Sequence, residues 1–400
     1  MRKFKDSNDY LYGMIPVEWE MQRVKHCAVI HNGSDPIKDG NVPVYGSGQD
    51  IVKYCGEYKN GPAILIGRKG TLDRPKLIEG KFWNVDTAMD MYPKKGTDIK
   101  WLLYVATIFD IPRYSTETAK PSMTQTDYYN MQIPLISIEE QQDIVNYLDD
   151  KSKNIDEAID RHNTIIERLE DYKKTIIRNA VKEGLHHTDF KETDSLWFSK
   201  IPQNWDFKRI KNIFSIKKRI AGREGYTVLS ITQKGIIPKD ISSNIGQLAQ
   251  DYSGYQLVYK GDFAMNHMDL LTGWVDISAY DGVTSPDYRV FCLNDKENNN
   301  PEYFLYIMQM CYFDRLFYNL GAGVSELGRW RLQAGPFKNF KVPVPPLEEQ
   351  NQIVEYLSSK CSRIDEAIAR QQQIIEKLEE YRKSIIYNAV TGKIDCRKES

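Results

Sequence analysis

Arg68, Lys69 and Thr71 lie together in Arg68-Lys69-Gly70-Thr71, Arg74 follows closely, and Lys120, Ser122 and Gln125 stand in Lys120-Pro-Ser122-Met-Thr124-Gln125. Guanidinium forks, ammonium groups, hydroxyls and amides are the groups that hold phosphates and read base edges. A second set runs through the later half: Arg219 after Lys217-Lys218, then Arg223, Asn266, His267, Arg289, Ser325, Arg329 and Arg331. What these residues offer is recognition; the patterns that covalent catalysis uses are missing. Gly46-Ser-Gly48 and Gly321-Ala-Gly323 lack the Lys-Ser/Thr of a phosphate loop and the full dinucleotide fingerprint. The six histidines include no HExxH and no His/Cys ligand spacing, so no metal site is expected. No Gly-x-Ser-x-Gly elbow and no Asn/Asp-Pro-Pro-Phe/Tyr methyl-transfer motif occurs, and Pro286-Asp287 lacks the spaced Glu-x-Lys of a nuclease core. No residue is therefore assigned to catalysis, and no cofactor is expected in this chain.

Binding of nucleic acid by bulk charge is excluded as well. Lys plus Arg (54) nearly equals Asp plus Glu (55), so counterion release over the whole surface cannot supply affinity. Residues 15 to 133 carry 15 basic and 14 acidic side chains, and residues 201 to 342 carry 17 and 14. Any DNA contact must be local or shared with a partner. Four hundred residues, 41% of them hydrophobic, predict a globular chain of two to three domains. The six cysteines show no CxxC spacing, which fits a reducing cytoplasm, and the absence of a long apolar run or an apolar start predicts no membrane or secretory segment.

The candidate residues are positioned by a duplication. Residues 139 to 181 align without a gap to residues 348 to 390, with 26 of 43 positions identical at an offset of 209. A second pair, Ile15-Pro-Val-Glu-Trp19 and Ile201-Pro-Gln-Asn-Trp205, matches at an offset of 186 and reads as a packing anchor that opens each unit. Each unit is thus a head followed by an arm, and the second head is 23 residues longer, mainly between about 230 and 260. The spans read as a first head over 1–133, a first arm over 134–184, a second head over 185–342, a second arm over 343–392 and a tail over 393–400.

The arms carry a seven-residue stripe. Leu148, Ile155, Leu169 and Ile176 alternate with Ile159 and Ile166, and Leu357, Ile364, Leu378 and Ile385 alternate with Ile368 and Ile375. Such a stripe must be buried, and the other copy is the obvious partner. The first arm is acidic early and basic late, which favours antiparallel pairing, and the long intervening head can return the chain to the far end of the first helix. His162, Lys173, Gln371 and Arg382 interrupt the stripe as solvated or register-setting positions. Ser137-Ile-Glu-Glu140 and Pro345-Pro346 mark helix starts, and Gly184 and Gly392 mark helix ends.

Ile-Pro-x-x-Trp opening each head, the proline-bearing exits Ile133-Pro134-Leu135 and Val342-Pro343-Val344-Pro345-Pro346, Glu-Glu-Gln, Ile-Asp-Glu-Ala-Ile and the terminal Asn-Ala-Val occur in that order, twice. In this arrangement the chain resembles the specificity subunit of a Type I restriction-modification system over nearly its whole length. The resemblance implies two α/β target-recognition domains separated by an antiparallel two-helix coiled coil, with a pseudo-twofold internal repeat. Each head would read one half of a bipartite double-stranded DNA target, and the helical pair would fix the spacing. It further implies two modification subunits that bring S-adenosylmethionine to adenine N6, and restriction subunits that use ATP and Mg. The chain itself would supply the address and no chemistry. Base-contacting residues do not transfer by resemblance, so those named above rest on their side-chain chemistry alone. Two other readings remain open from the residues: a scaffold whose heads bind proteins, which the nearly balanced head charge allows, and an enzyme, which would need a cofactor loop or ligand cluster not found in the sequence.

Overall fold

The computed structural model describes residues 2–48, 50–116, 121–241, 249–323 and 330–397. It divides into two compact units, one of Met1–Asn163 with Gln372–Ser400 and the other of Thr164–Gln371. Each unit therefore holds one head, half of the first arm and half of the second.

In the first unit a four-stranded antiparallel sheet runs in the order Ala28–Asn32, Ala88–Pro93, Ala63–Gly67, Lys76–Ile78. The strand Ala63–Gly67 is apolar throughout and buried at every position, as expected for a central strand covered on both faces. One face meets the helix Ile99–Ala106 and the anchor Trp19; the other meets Phe82 of a second, mixed sheet. The strand Gln132–Leu135 closes the head by pairing with Glu20–Arg23, so the chain leaves beside the point where it entered. The second unit repeats this plan in the order Phe214–Lys217, Arg289–Leu293, Phe263–Met265, Val275–Ile277, and its exit strand Lys341–Val344 pairs with Asp206–Arg209. The hairpin Leu229–Thr232/Gly235–Pro238 matches Val42–Tyr45/Ile51–Cys55 of the first head, and extra length of the second head lies between it and the strand Gln256–Val258; residues 242–248 lie outside the described set.

The arms are single helices, Ile138–Glu183 and Leu347–Val390, the first of them roughly 69 Å long at 1.5 Å per residue. Ser137 caps the first helix through Oγ, which accepts from Glu140 N at 3.2 Å. Gly184 and Gly392 take left-handed φ values of 72° and 73° at the ends, a conformation that other residues adopt only under strain.

The apolar stripe is buried as an antiparallel pair within each unit. In the first, Leu148, Ile155 and Ile159 pack with Leu378, Ile385 and Ala389; in the second, Leu169 and Ile176 pack with Leu357, Ile364 and Ile368. Ile166 and Ile375 are half-buried and belong to neither core. Two polar interruptions of the stripe form ion pairs between the helices. Lys173 Nζ lies 2.7 Å from Asp365, and Arg382 pairs with Asp156. These are one ion pair made twice, since both partners are related by the offset of 209 with the arms exchanged.

Candidate nucleic-acid interface

Each head is fastened to the start of the arm that follows it by a glutamine of the Glu-Glu-Gln motif. Gln141 is buried; its Nε2 donates to Ile136 O and Gly96 O at 3.1 Å, and its Oε1 accepts from Asp98 N at 2.7 Å. Asp98 in turn caps the helix Ile99–Ala106 by accepting from Lys100 N and Trp101 N. In the second head Gln350 does the same: Nε2 donates to Pro345 O at 2.9 Å, and Oε1 accepts at 2.8 Å from the backbone N–H of Asn300, the cap of the helix Pro301–Phe313. The anchor tryptophans lie beside the neighbouring Glu. Trp205 Nε1 donates to Glu349 at 2.9 Å, and Arg2 stacks over Trp19 while pairing with Glu140.

With the scaffold so fixed, the loop that leaves the central strand is brought against the segment that precedes the head's last short helix. In the first head Met123 N donates to Arg68 O at 2.9 Å, Gly70 N donates to Pro121 O at 3.0 Å, and Lys69 bridges to Ser122. Gly67 opens this turn so tightly that a Cβ there would stand 2.0 Å from Thr71 O. In the second head Leu332 N donates to His267 O at 3.0 Å and Leu270 N to Trp330 O at 3.2 Å, while Ala322 bridges to Arg331. The pairs Met123/Arg68 and Leu332/His267 are the same stitch, and in each head it forms a seam of two loops.

The seams gather many of the recognition candidates. Arg68 donates to Asp86 O at 3.1 Å, and Lys69 lies 3.3 Å from the Asp86 carboxylate with its side chain half exposed. Thr71 lies in the same turn; Arg74 is exposed beyond it. Ser122 Oγ shares a hydrogen bond with Thr116 at 3.1 Å. In the second seam Asn266, His267 and Arg331 stand on the two stitched loops, with Arg331 exposed. Lys120, Ser325 and Arg329 lie outside the described residues.

Other candidates sit away from the exposed part of the seams. Arg289 is buried: Nη2 donates to Leu332 O at 2.9 Å, the guanidinium stacks on Phe337, and burial pulls its pKa down to about 10. Gln125 turns inward and donates to Ile30 O. Arg219 and Arg223 belong to a different loop, where Arg219 is paired with Asp262 and Arg223 lies over Tyr226. Burial pushes Cys27 and Cys396 up to about 12, so neither is a reactive thiolate.

Sequence reasoning missed Asp86, Leu332 and the two glutamines. The glutamines could have been found. They recur at the arm offset of 209, while the helix caps they hold, Asp98 and Asn300, recur at an offset of 202.

The family model of the Type I restriction modification DNA specificity domain matches residues 16–171 and again 202–385, and the chain belongs to this family. Among curated relatives, the Type I restriction enzyme MjaVIII specificity subunit of Methanocaldococcus jannaschii is 27% identical over 353 residues, covering 84% of this chain and 77% of that protein. The putative type I restriction enzyme MjaX specificity subunit of the same organism is 23% identical over 420 residues, covering 96% and 95%. A solved chain from work on complex assembly and conformational transition of the type I R-M system superposes with a TM-score of 0.65 at 14% identity, over 95% of this chain and 99% of that one. The fold and the repeat are therefore those of a Type I specificity subunit, and DNA sequence recognition is the role of the family. Among the described residues no helix is long and apolar enough to cross a membrane.

Proposed function

We propose that each head reads one half of a bipartite double-stranded DNA target through its seam. The observation that carries this is the seam itself, which occurs twice on one backbone plan with different side chains: Arg68, Lys69 and Ser122 in one copy, Asn266, His267 and Arg331 in the other. Equal scaffolds with unequal loops are what two readers of different sequences require. The arms set the spacing of the two halves, since helices of this length exceed the roughly 34 Å that separates half-sites one turn apart. Methylation of adenine is carried out by two modification subunits with S-adenosylmethionine, and cleavage by restriction subunits with ATP and Mg. This chain is non-catalytic.

The test is to co-express the chain with its modification subunit and map methylated adenines across the host DNA. One motif with two short specified parts and a fixed unspecified gap is expected. Methylation scattered without such a motif would contradict the reading. Adding about seven residues to each arm, in step with the stripe, lengthens the gap if the arms set it; an unchanged gap removes that part.

A further inference from the structure

Arg289 stands in the second head where the first head has Met89. The register shows it: Met89 lies opposite Ile66 in the first central sheet, and Arg289 opposite Met265 in the second. Met89 is fully buried, so this position needs no charge for the fold to form. An arginine in its place loses its hydration, and a buried charge is costly unless paired. No ion pair among the described residues offsets this one, and its guanidinium rests on the ring of Phe337. Its Nη2 is used, on Leu332 O at 2.9 Å, but Nη1 is buried without a hydrogen-bond partner.

A second orphan lies beside it. His267 Nδ1 is also buried and unpartnered, and His267 is bonded through its carbonyl to the same Leu332 that Arg289 holds. Burial and the neighbouring Arg289 outweigh a backbone contact with Met265 and hold His267 neutral, with its pKa down at about 4. The corresponding residue of the first head, Arg68, spends its guanidinium on Asp86 instead. A cation that the fold does not require, with a free donor at the reading seam, is arranged for an acceptor brought from outside.

We propose that Arg289, with His267 beside it, is a receiving point for a DNA acceptor group in the second seam, either a phosphodiester oxygen or a guanine O6/N7 edge. This rests on the DNA-reading role of the seam and adds one anchoring residue to it. The first head takes its corresponding contact differently, because Met89 offers no donor.

The test uses the complex of this chain with its modification subunit and a duplex carrying the methylated sequence mapped for it. Arg289→Met copies the first head's residue, and Arg289→Gln keeps a neutral donor for Leu332 O. Both are checked by thermal melting, and binding is measured across a salt series and a panel of single base-pair changes. A stable variant that binds the target roughly tenfold or more weakly is the expected result. If the acceptor is a phosphate, the loss is uniform over the panel and the salt slope falls by about one. If it is a guanine, discrimination relaxes at one base pair of one half-site while the slope holds. A stable Met or Gln variant with unchanged affinity, slope and discrimination overturns the inference. Should Arg289→Met melt early, Arg289→Gln decides by the same criteria; loss of folding in both shows that the arginine is structural and equally overturns it. Absence of any bipartite motif for the unaltered chain would instead strike the parent reading.

Discussion

Met89 and Arg289 occupy one position in two copies of the same sheet, and both are buried. The first head fills the space with a flexible apolar side chain and lets Arg68 and Lys69 face Asp86 at the surface. The second puts a cation inside, under Leu332, and leaves a neutral His267 at the seam. The comparison teaches that duplication preserved what carries the fold, and that divergence entered where the loops are stitched. Leu148 and Leu357, Gln141 and Gln350, and the pairs Asp156–Arg382 and Asp365–Lys173 are kept; the seam residues are not.

The sharpest way to break this comparison is to exchange the two residues. Met89→Arg places an uncompensated charge in a core that has no use for it, and should cost about 3 to 5 kcal/mol by denaturant unfolding. Arg289→Met sheds a desolvated charge and should cost clearly less. Equal losses would mean that Arg289 belongs to the scaffold after all. A smaller effect is expected from the glutamines. Gln141→Ala and Gln350→Ala each strand a half-buried backbone N–H and a buried carbonyl, and should each cost about 1 to 3 kcal/mol, by similar amounts because the brackets are equivalent. A loss confined to one of them would show that the two heads are not held alike. The smallest effect is at the arms: Lys173→Ala and Arg382→Ala remove exposed ion pairs worth about 0.2 to 1 kcal/mol, measurable as paired differences in a double-mutant cycle with Asp365 and Asp156.

Much of this was legible in the sequence. The 26 identities between the arms, their heptad stripe and the repeated Ile-Pro-x-x-Trp report long-range order through local pattern, because a helix face and a packing anchor are periodic or motif-like. The seam was half legible. Arg68, Lys69 and Ser122 were visible as chemistry, but their meeting depends on a backbone stitch between Met123 and Arg68, which no composition reveals. The burial of Arg289 was not legible, because an arginine in a strand is ordinarily exposed. It lies on the central strand opposite Met265, under Leu332, where the fold covers it. Nor was the inward turn of Gln125 legible; its amide satisfies Ile30 O inside the head.

The central claim is the proposal that each head reads one half-site by itself. It is tested most directly by replacing residues 202–344 with residues 16–135, so that both positions carry the first head. These bounds join at equivalent points, Pro16 with Pro202 and Leu135 with Val344. Co-expressed with the modification subunit, the chain should direct methylation to a motif whose two specified parts are both the half-site of the first head, across a fixed gap. Methylation that kept the original asymmetric motif, or lost one half while the protein stayed folded, would contradict the account.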